Sequence, residues 1–259
     1  MKFDWLDNLC PYSLSLLRMV AGFLIWQRGA QKLLGWFGGE IATEFAWFWS
    51  AGMIEFIGGT LILLGLLTRP VAILLAGEML VVYLFIHMPQ GFWSLRNGGE
   101  VILEFFITFL LLAFFGPGKL SMDSLFRIQT IGEEFLDRIQ PFAHNLLRIL
   151  TGIMFWQHGA SKFGMLGGRM REFPDLQFLA GVLEFFGGPL VALGAFISPV
   201  TFVLSGEMAY AFWFSHLSRG PAFWPVQNGG EMAVLFCFIF LFFLTSGAGK
   251  FSVDDLLRK

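Results

Sequence analysis

Long apolar segments alternate with short polar ones along the whole chain. Eight such segments can be read, and they cover roughly residues 12–34, 50–67, 71–88, 99–115, 143–164, 177–197, 200–217 and 230–246. Each is close to the ~20 residues that a helix needs to cross the hydrocarbon core of a bilayer. The segments lack the alternation of a membrane β-barrel, and helices satisfy their own backbone hydrogen bonds inside a membrane. The pattern therefore predicts an all-α polytopic membrane protein with eight transmembrane helices.

The pattern occurs twice. Gly77-Glu78-Met79 returns as Gly206-Glu207-Met208, and other motifs return at nearly the same offset. Four helices per copy bring the chain back to its starting side, so we expect two parallel four-helix repeats related by an axis along the membrane normal. The predicted divisions are a first repeat over residues 1–116, an interfacial amphipathic linker over 117–142 and a second repeat over 143–259.

Short connections add local detail. The second and third segments of each half are separated by few residues around Pro70 and Pro199, which predicts helical hairpins. Gly58-Gly59 and Gly187-Gly188 are predicted to be close-packing positions on the second helices. Ser121 and Ser252 are predicted to cap short helices that follow the last helix of each half.

Composition narrows the class. The 259 residues are 56% hydrophobic and 14% charged, well below the ~25% charged residues of soluble domains. This composition predicts that the chain is surrounded by the lipid bilayer. A net charge of −2 gives no reason to expect a nucleic-acid partner. The two cysteines, Cys10 and Cys237, form no metal or redox motif. We expect no metal site and no intrinsic cofactor.

Basic residues in the loops favour cytoplasmic termini by a modest margin. The terminal side holds Lys2, Arg69, Lys119, Arg127, Arg138, Lys250, Arg258 and Lys259. The opposite side holds Arg96, Arg169, Arg171 and Arg219, with Lys32 and Lys162 near helix ends.

Charged residues inside the apolar segments are the candidates for function, because ionisable groups in a bilayer cost several kcal/mol unless paired or protonated. The candidates for proton handling or ligand binding are Arg18, Glu55, Glu78, His87, Glu100, Arg148, Glu184, Glu207, His216 and Glu231. Arg28 and Lys32 share one helix face, and His158 and Lys162 repeat this spacing.

Two interpretations of these charges stay open. In the first, the cations neutralise the glutamates and fix the helix packing. In the second, burial favours the neutral form of a glutamate, which can then carry a proton or bind a small polar or redox molecule. We expect Glu78 and Glu207 to lie in networks reached by Arg18 and Arg148 or by other glutamates of the same half. Each network is expected to close within its own half.

The motifs resemble a known family. The run from Leu17-Arg18 to Leu33, together with Gly77-Glu78-Met79, Asn97-Gly98-Gly99-Glu100 and Phe115-Gly116-Pro117-Gly118, resembles the DoxX family of four-helix bacterial membrane proteins. The second half resembles it again from Leu147-Arg148 to Gly249-Lys250, so the chain looks like a tandem duplication of a DoxX-like unit.

The resemblance implies a multi-pass protein of the bacterial cytoplasmic (inner) membrane. The family takes its name from a subunit of a thiosulfate:quinone oxidoreductase, and relatives are linked to thiol and oxidative-stress systems. It therefore implies an integral membrane subunit of a redox system, with quinone as the candidate ligand and a redox protein as the partner. The chain has no self-contained catalytic motif, so it is at most a subunit of such an enzyme. A structural subunit of a larger membrane complex and a small-molecule or ion transporter are the alternatives.

Overall fold

A computed structural model describes residues 4–41, 47–130, 132–218 and 223–257, and within these ranges the chain is helical with no β-strand. Four of the basic residues that were counted for the orientation of the termini lie outside the described residues: Lys2, Arg219, Arg258 and Lys259. The long helices are α1 Cys10–Leu34, α2 Trp47–Leu64, α3 Thr68–Val82, α4 Glu100–Phe115, α5 Glu133–Lys162, α6 Leu176–Leu193, α7 Ile197–Tyr210 and α8 Glu231–Ser246. Each of the eight apolar segments therefore contains a helix.

Helix length and hydropathy identify the clearest membrane spans. Among the described residues, Trp5–Leu34, Thr68–Gln90 and Leu176–Leu193 are long and apolar enough to cross a bilayer. Phe48–Leu64 and Glu231–Ser246 are apolar but shorter. The span at Thr68–Gln90 includes the π-helical turn Tyr83–His87 that continues α3, and Ala211–His216 continues α7 in the same way.

The predicted helical hairpins are confirmed. Helix α2 ends at Leu64 and α3 begins at Thr68, with Gly65 and Leu67 between them in the left-handed backbone region. The Asp123 carboxylate accepts the backbone N–H groups of Leu67 (2.7 Å) and Thr68 (2.8 Å), and so satisfies two free donors at the start of α3. Asp254 does the same for α7 at Phe196 and Ile197.

The short helices that carry these aspartates begin as the sequence predicts. Ser121 caps Met122–Phe126, accepting the Ser124 N–H at 3.1 Å. Ser252 caps Val253–Leu256, and its hydroxyl accepts the Asp255 N–H, also at 3.1 Å. Each cap thereby orients an aspartate toward the hairpin of its own half.

Helix α5 begins at Glu133, inside the predicted linker 117–142 and before the fifth apolar segment. Two glutamates, Glu133 and Glu134, occupy its first turn, where the helix dipole favours negative charge. Pro141 lies inside the helix, and the Asn145 side chain donates to its carbonyl at 2.6 Å. The second part of the predicted linker is therefore continuous with the first long helix of the second half.

The eight helices form a closed ring in chain order. Each contacts the next one, and α8 returns to contact α1. Contacts of α4 with α8, of α1 with α4 and of α5 with α8 cross the ring. Buried apolar residues from both halves belong to one hydrophobic core. The halves are therefore packed as one body, with α4 against α5 and α8 against α1.

Glycines bring the first two helices of each half, α1 with α2 and α5 with α6, into backbone contact. A Cβ atom at Gly59 would lie 2.7 Å from the Trp26 backbone nitrogen, and one at Gly188 would lie 2.6 Å from the Gly152 carbonyl oxygen. Such separations do not occur between real side chains and a backbone, so only glycine allows this approach. The predicted packing role of these glycines is confirmed.

We expect Gly59→Ala to lower the free energy of unfolding by about 1–3 kcal/mol, because the added methyl must push α1 away from α2. The matched control is Gly77→Ala in α3, where a Cβ meets nothing within 4 Å. This control should be neutral or stabilising by about 0.5–1 kcal/mol, because alanine forms helix more readily than glycine. Thermal unfolding in detergent, followed by circular dichroism, compares the two. Equal effects would contradict the close approach.

Candidate functional site

Each half contains a lysine–glutamate pair between its first two helices. The Lys32 ammonium group on α1 donates to Glu55 on α2 at 2.6 Å. Lys162 on α5 pairs with Glu184 on α6 at 2.6 Å. The glycine contacts between these helices bring the charged groups within reach, and both glutamates are buried.

A second pair of contacts joins the two halves reciprocally. Arg28 on α1 donates two hydrogen bonds to the carboxylate of Glu231, the first residue of α8, from Nε (2.8 Å) and from Nη2 (2.6 Å). At the equivalent position on α5, His158 approaches Glu100, the first residue of α4, with Nε2 at 3.2 Å from Oε1. Each contact thus joins the first helix of one half to the fourth helix of the other.

Two equivalent clusters result. The arginine cluster contains Arg28, Lys32, Glu55, Glu78 and Glu231. The histidine cluster contains His158, Lys162, Glu184, Glu207 and Glu100. Each is built by three helices of one half and is completed by a glutamate at the start of the fourth helix of the other half.

The third helix contributes a glutamate that lacks a direct partner. Both carboxylate oxygens of Glu78 and of Glu207 are buried without a hydrogen bond in the described part of the chain. Glu78 lies within electrostatic range of Glu55 and Lys32, and Glu207 lies within range of Glu184 and Lys162. The predicted link to other glutamates of the same half is therefore present as an electrostatic contact.

Glu104 connects the two clusters. It is fully buried on α4, one turn from Glu100, and interacts electrostatically with both Glu100 and Glu231. The equivalent position on α8 is Leu235, which is also fully buried. The carboxyl group between the clusters therefore comes from the first half alone.

The expectation that each network closes within its own half is wrong. The start of α4 lies beside α5, and the start of α8 lies beside α1, because the helices form one ring. Glu100 and Glu231 consequently face the cations of the opposite half.

Arg18 and Arg148 do not reach Glu78 and Glu207, contrary to the first alternative in our expectation. Arg18 is buried and donates to the backbone carbonyls of Ile62 and Leu63 (both 2.6 Å), Pro117 (2.9 Å) and Leu120. Arg148 similarly donates from Nη1 to Val191 (2.8 Å) and Ala192 (2.6 Å). Both guanidinium groups satisfy free carbonyls at the end of the second helix in their half, where a cation also suits the helix dipole.

The histidines predicted from the third helices lie against the next loop. His87 Nδ1 is 3.0 Å from the Asn97 backbone oxygen, and His216 Nδ1 is 3.3 Å from that of Asn228. These loops lead directly into Glu100 and Glu231. His87 and His216 therefore position the fourth helices, and a direct role in proton handling stays a prediction for them.

Five members of the site were absent from the candidate set drawn from the sequence. They are Arg28, Lys32, Glu104, His158 and Lys162. The spacing of four residues between Arg28 and Lys32, repeated by His158 and Lys162, was the available signal. Glu104 gave a weaker one, since it is a charged residue one turn after Glu100.

The charges of the site do not balance. The carboxyl groups are those of Glu55, Glu78, Glu100, Glu104, Glu184, Glu207 and Glu231. Three permanent cations face them, Arg28, Lys32 and Lys162, together with one histidine. An uncompensated carboxylate in a membrane costs several kcal/mol, so some of these carboxyls carry protons or bind an external cation. No group of three or more His, Cys, Asp or Glu side chains in the described ranges is arranged to hold a metal ion.

Comparison with known proteins identifies the family. The DoxX family model matches residues 13–88 and again 143–217, the first three long helices of each half. A protein of Haemophilus influenzae is 40% identical over 130 residues, which are 48% of this chain and 97% of that protein. A membrane protein of Mycobacterium tuberculosis is 31% identical over 133 residues, which are 44% of this chain and 80% of that protein. Both carry the description "uncharacterized", and no solved structure matches significantly. The chain belongs to the DoxX family of membrane proteins and contains two DoxX units in tandem.

Proposed function

We propose that this protein handles protons inside the bacterial inner membrane as a subunit of a redox system. The observation that carries the proposal is the excess of buried carboxyl groups over cations in the two clusters. A carboxyl group held neutral by its surroundings can bind and release a proton, and a chain of such groups can pass protons on. The clusters are electrostatically continuous through Glu104.

The proposed topology has eight spans in two parallel repeats, with both termini in the cytoplasm. The link of both clusters to Glu104 supports parallel repeats, because inverted repeats would place equivalent clusters at opposite sides of the membrane. Single cysteines in place of Arg96 and Arg138 should be labelled from opposite sides of the membrane. Labelling from the same side would contradict the topology.

We expect the double variant Glu78→Gln/Glu207→Gln to reduce proton flux to less than about a tenth of that of the unchanged protein. Glutamine keeps the shape of each side chain but cannot exchange a proton. The measurement is dye-reported acidification of liposomes that contain the purified protein. Glu134→Gln, an exposed change outside the clusters, serves as the control and should leave the flux intact.

The alternatives give different outcomes in the same liposomes. An ion or small-molecule transporter would move its substrate while Glu78→Gln/Glu207→Gln blocks that movement. A purely structural subunit would show no flux, and the double variant would change only its stability. Native mass spectrometry of the purified complex would then reveal the partner.

A groove between α5 and α6 favours quinone as the ligand of the redox system. It has a volume of about 300 Å³ and is lined by Gly152, Ile153, Trp156, Pro189, Ala192 and Leu193. The equivalents of Ile153 and Ala192 in the first half are the larger Phe23 and Leu63. An apolar groove beside Trp156 suits the tail of a quinone.

We expect Ile153→Phe to remove quinone that co-purifies with the protein, because phenylalanine fills the groove as Phe23 does in the first half. Phe23→Ile is the matched reverse change and should leave the bound quinone in place. Mass spectrometry of organic extracts from the purified proteins measures the ratio. Equal quinone content in all three proteins, or none in the unchanged protein, would exclude this groove as the site.

A further inference from the structure

The two clusters differ at one decisive position. Arg28 holds both oxygens of Glu231 with two donors, and its guanidinium group also lies over the Phe105 ring at 5.5 Å. Arginine keeps its charge at every physiological pH. A proton reaching Glu231 would have to displace a bidentate ion pair, which is among the strongest polar contacts in proteins. Glu231 in the arginine cluster is therefore held as a carboxylate by a permanent ion pair.

The histidine cluster has no bidentate arginine–glutamate pair at this position. His158 makes one contact with Glu100, through Nε2 at 3.2 Å, and its ring meets Phe236 edge to face. An imidazole ring can gain and lose a proton, and a carboxyl group in contact with it can exchange that proton. His158 and Glu100 are both titratable, whereas Arg28, at the position equivalent to His158, carries a permanent charge.

Several ionisable groups lie near the His158–Glu100 pair. Lys162 lies one turn further along α5, and Glu184 faces it from α6. Glu207 on α7 lies within electrostatic range of both. Glu104 on α4 lies within electrostatic range of Glu100 and of Glu231 on α8. The arginine cluster has two permanent cations for three carboxyls, whereas the histidine cluster has one. The histidine cluster therefore has the larger need for a mobile proton.

We propose that the His158–Glu100 pair is the proton-exchanging relay of this protein, while Arg28–Glu231 is a fixed ion pair that holds the halves together. The proposal rests on the proposed function and assigns it to one of the two clusters. A hydronium ion protonates the neutral imidazole, releases water and gives imidazolium beside the Glu100 carboxylate. Transfer across the contact gives neutral imidazole and the Glu100 carboxylic acid, and the ionised form of Glu104 is the next acceptor. No electron moves in these steps.

Exchanging the two cluster residues tests the assignment, because each half supplies the control for the other. His158→Arg gives both clusters a permanent cation, and we expect it to lose proton uptake after an acidifying pH step on the purified protein. Arg28→His gives both clusters a titratable pair, and we expect it to increase that uptake. Unchanged uptake in His158→Arg, or a loss only in Arg28→His, would overturn the proposal.

A second measurement covers the case in which the arginine or histidine exchange does not fold, since it uses only the unchanged protein and glutamine variants. Nitrogen NMR of histidine-labelled protein in nanodiscs follows the four histidines, and the signal missing in His158→Gln identifies His158. We expect this signal to change with pH in the unchanged protein, and to change at a different pH in Glu100→Gln. A His158 signal that stays constant over the whole pH range in which the protein remains folded would overturn the proposal. Absence of proton flux with a titrating His158 would instead refute the proposed function and leave the relay pair standing.

Discussion

Arg28→Met is expected to lower the free energy of unfolding by about 3–5 kcal/mol, because it leaves the Glu231 carboxylate buried without its partner. The loss should weaken the contact between α1 and α8, which closes the ring of helices. Denaturant unfolding in detergent micelles measures the effect.

The control is the double variant Arg28→Met/Glu231→Met. Replacing both members of a buried ion pair by apolar residues is often neutral, so most of the lost stability should return. A double variant as unstable as Arg28→Met would show that Arg28 stabilises the fold mainly through other contacts, such as its packing on Phe105.

Arg18→Leu is expected to cost at least about 3 kcal/mol, because hydrogen bonds to charged groups contribute roughly 1.5–3 kcal/mol each. Arg18 donates to carbonyls at the end of α2 and in the loop after α4, and these groups would remain buried without a donor. Arg18→Lys should recover part of the loss, since a lysine keeps the charge but not the planar fork.

Arg138→Leu provides the comparison for Arg18→Leu. Arg138 is exposed, and its replacement should change the stability by less than about 0.5 kcal/mol. Proton uptake per folded molecule should be the same in Arg18→Lys and in the unchanged protein. A specific loss of uptake in Arg18→Lys would return Arg18 to the functional site.

The sequence predicts most of the fold because local signals determine it. The apolar segments locate all eight helices, the prolines locate the hairpins, and Ser121 and Ser252 locate the short helices that cap them. The polar and apolar residues before residue 143 indicate an amphipathic segment, and Glu133 and Glu134 suit a helix start. Local pattern does not show that this segment continues into the fifth apolar segment as one helix.

The candidate site was only partly predictable, for a physical reason. Glu55, Glu78 and Glu100 and their equivalents stand out as charges within apolar runs. Which cation each one meets depends on how the helices are arranged in space, and the sequence of a repeat does not distinguish a contact within one half from an exchanged contact with the other. The sequence predicts Arg18 as a partner for Glu78, whereas Arg18 donates to the carbonyls of Ile62 and Leu63 at the end of α2.

The exchanged pairing has a consequence for how this protein could have arisen. The Haemophilus influenzae relative matches half of this chain over nearly its own full length, so it has room for one unit. Two identical units that paired in the same way would have to carry the same residue at both cluster positions. Joining the units in one gene removes that restraint, and a single substitution can then change one cluster while the other is preserved. Arg28 and His158 are the difference that such a fusion permits.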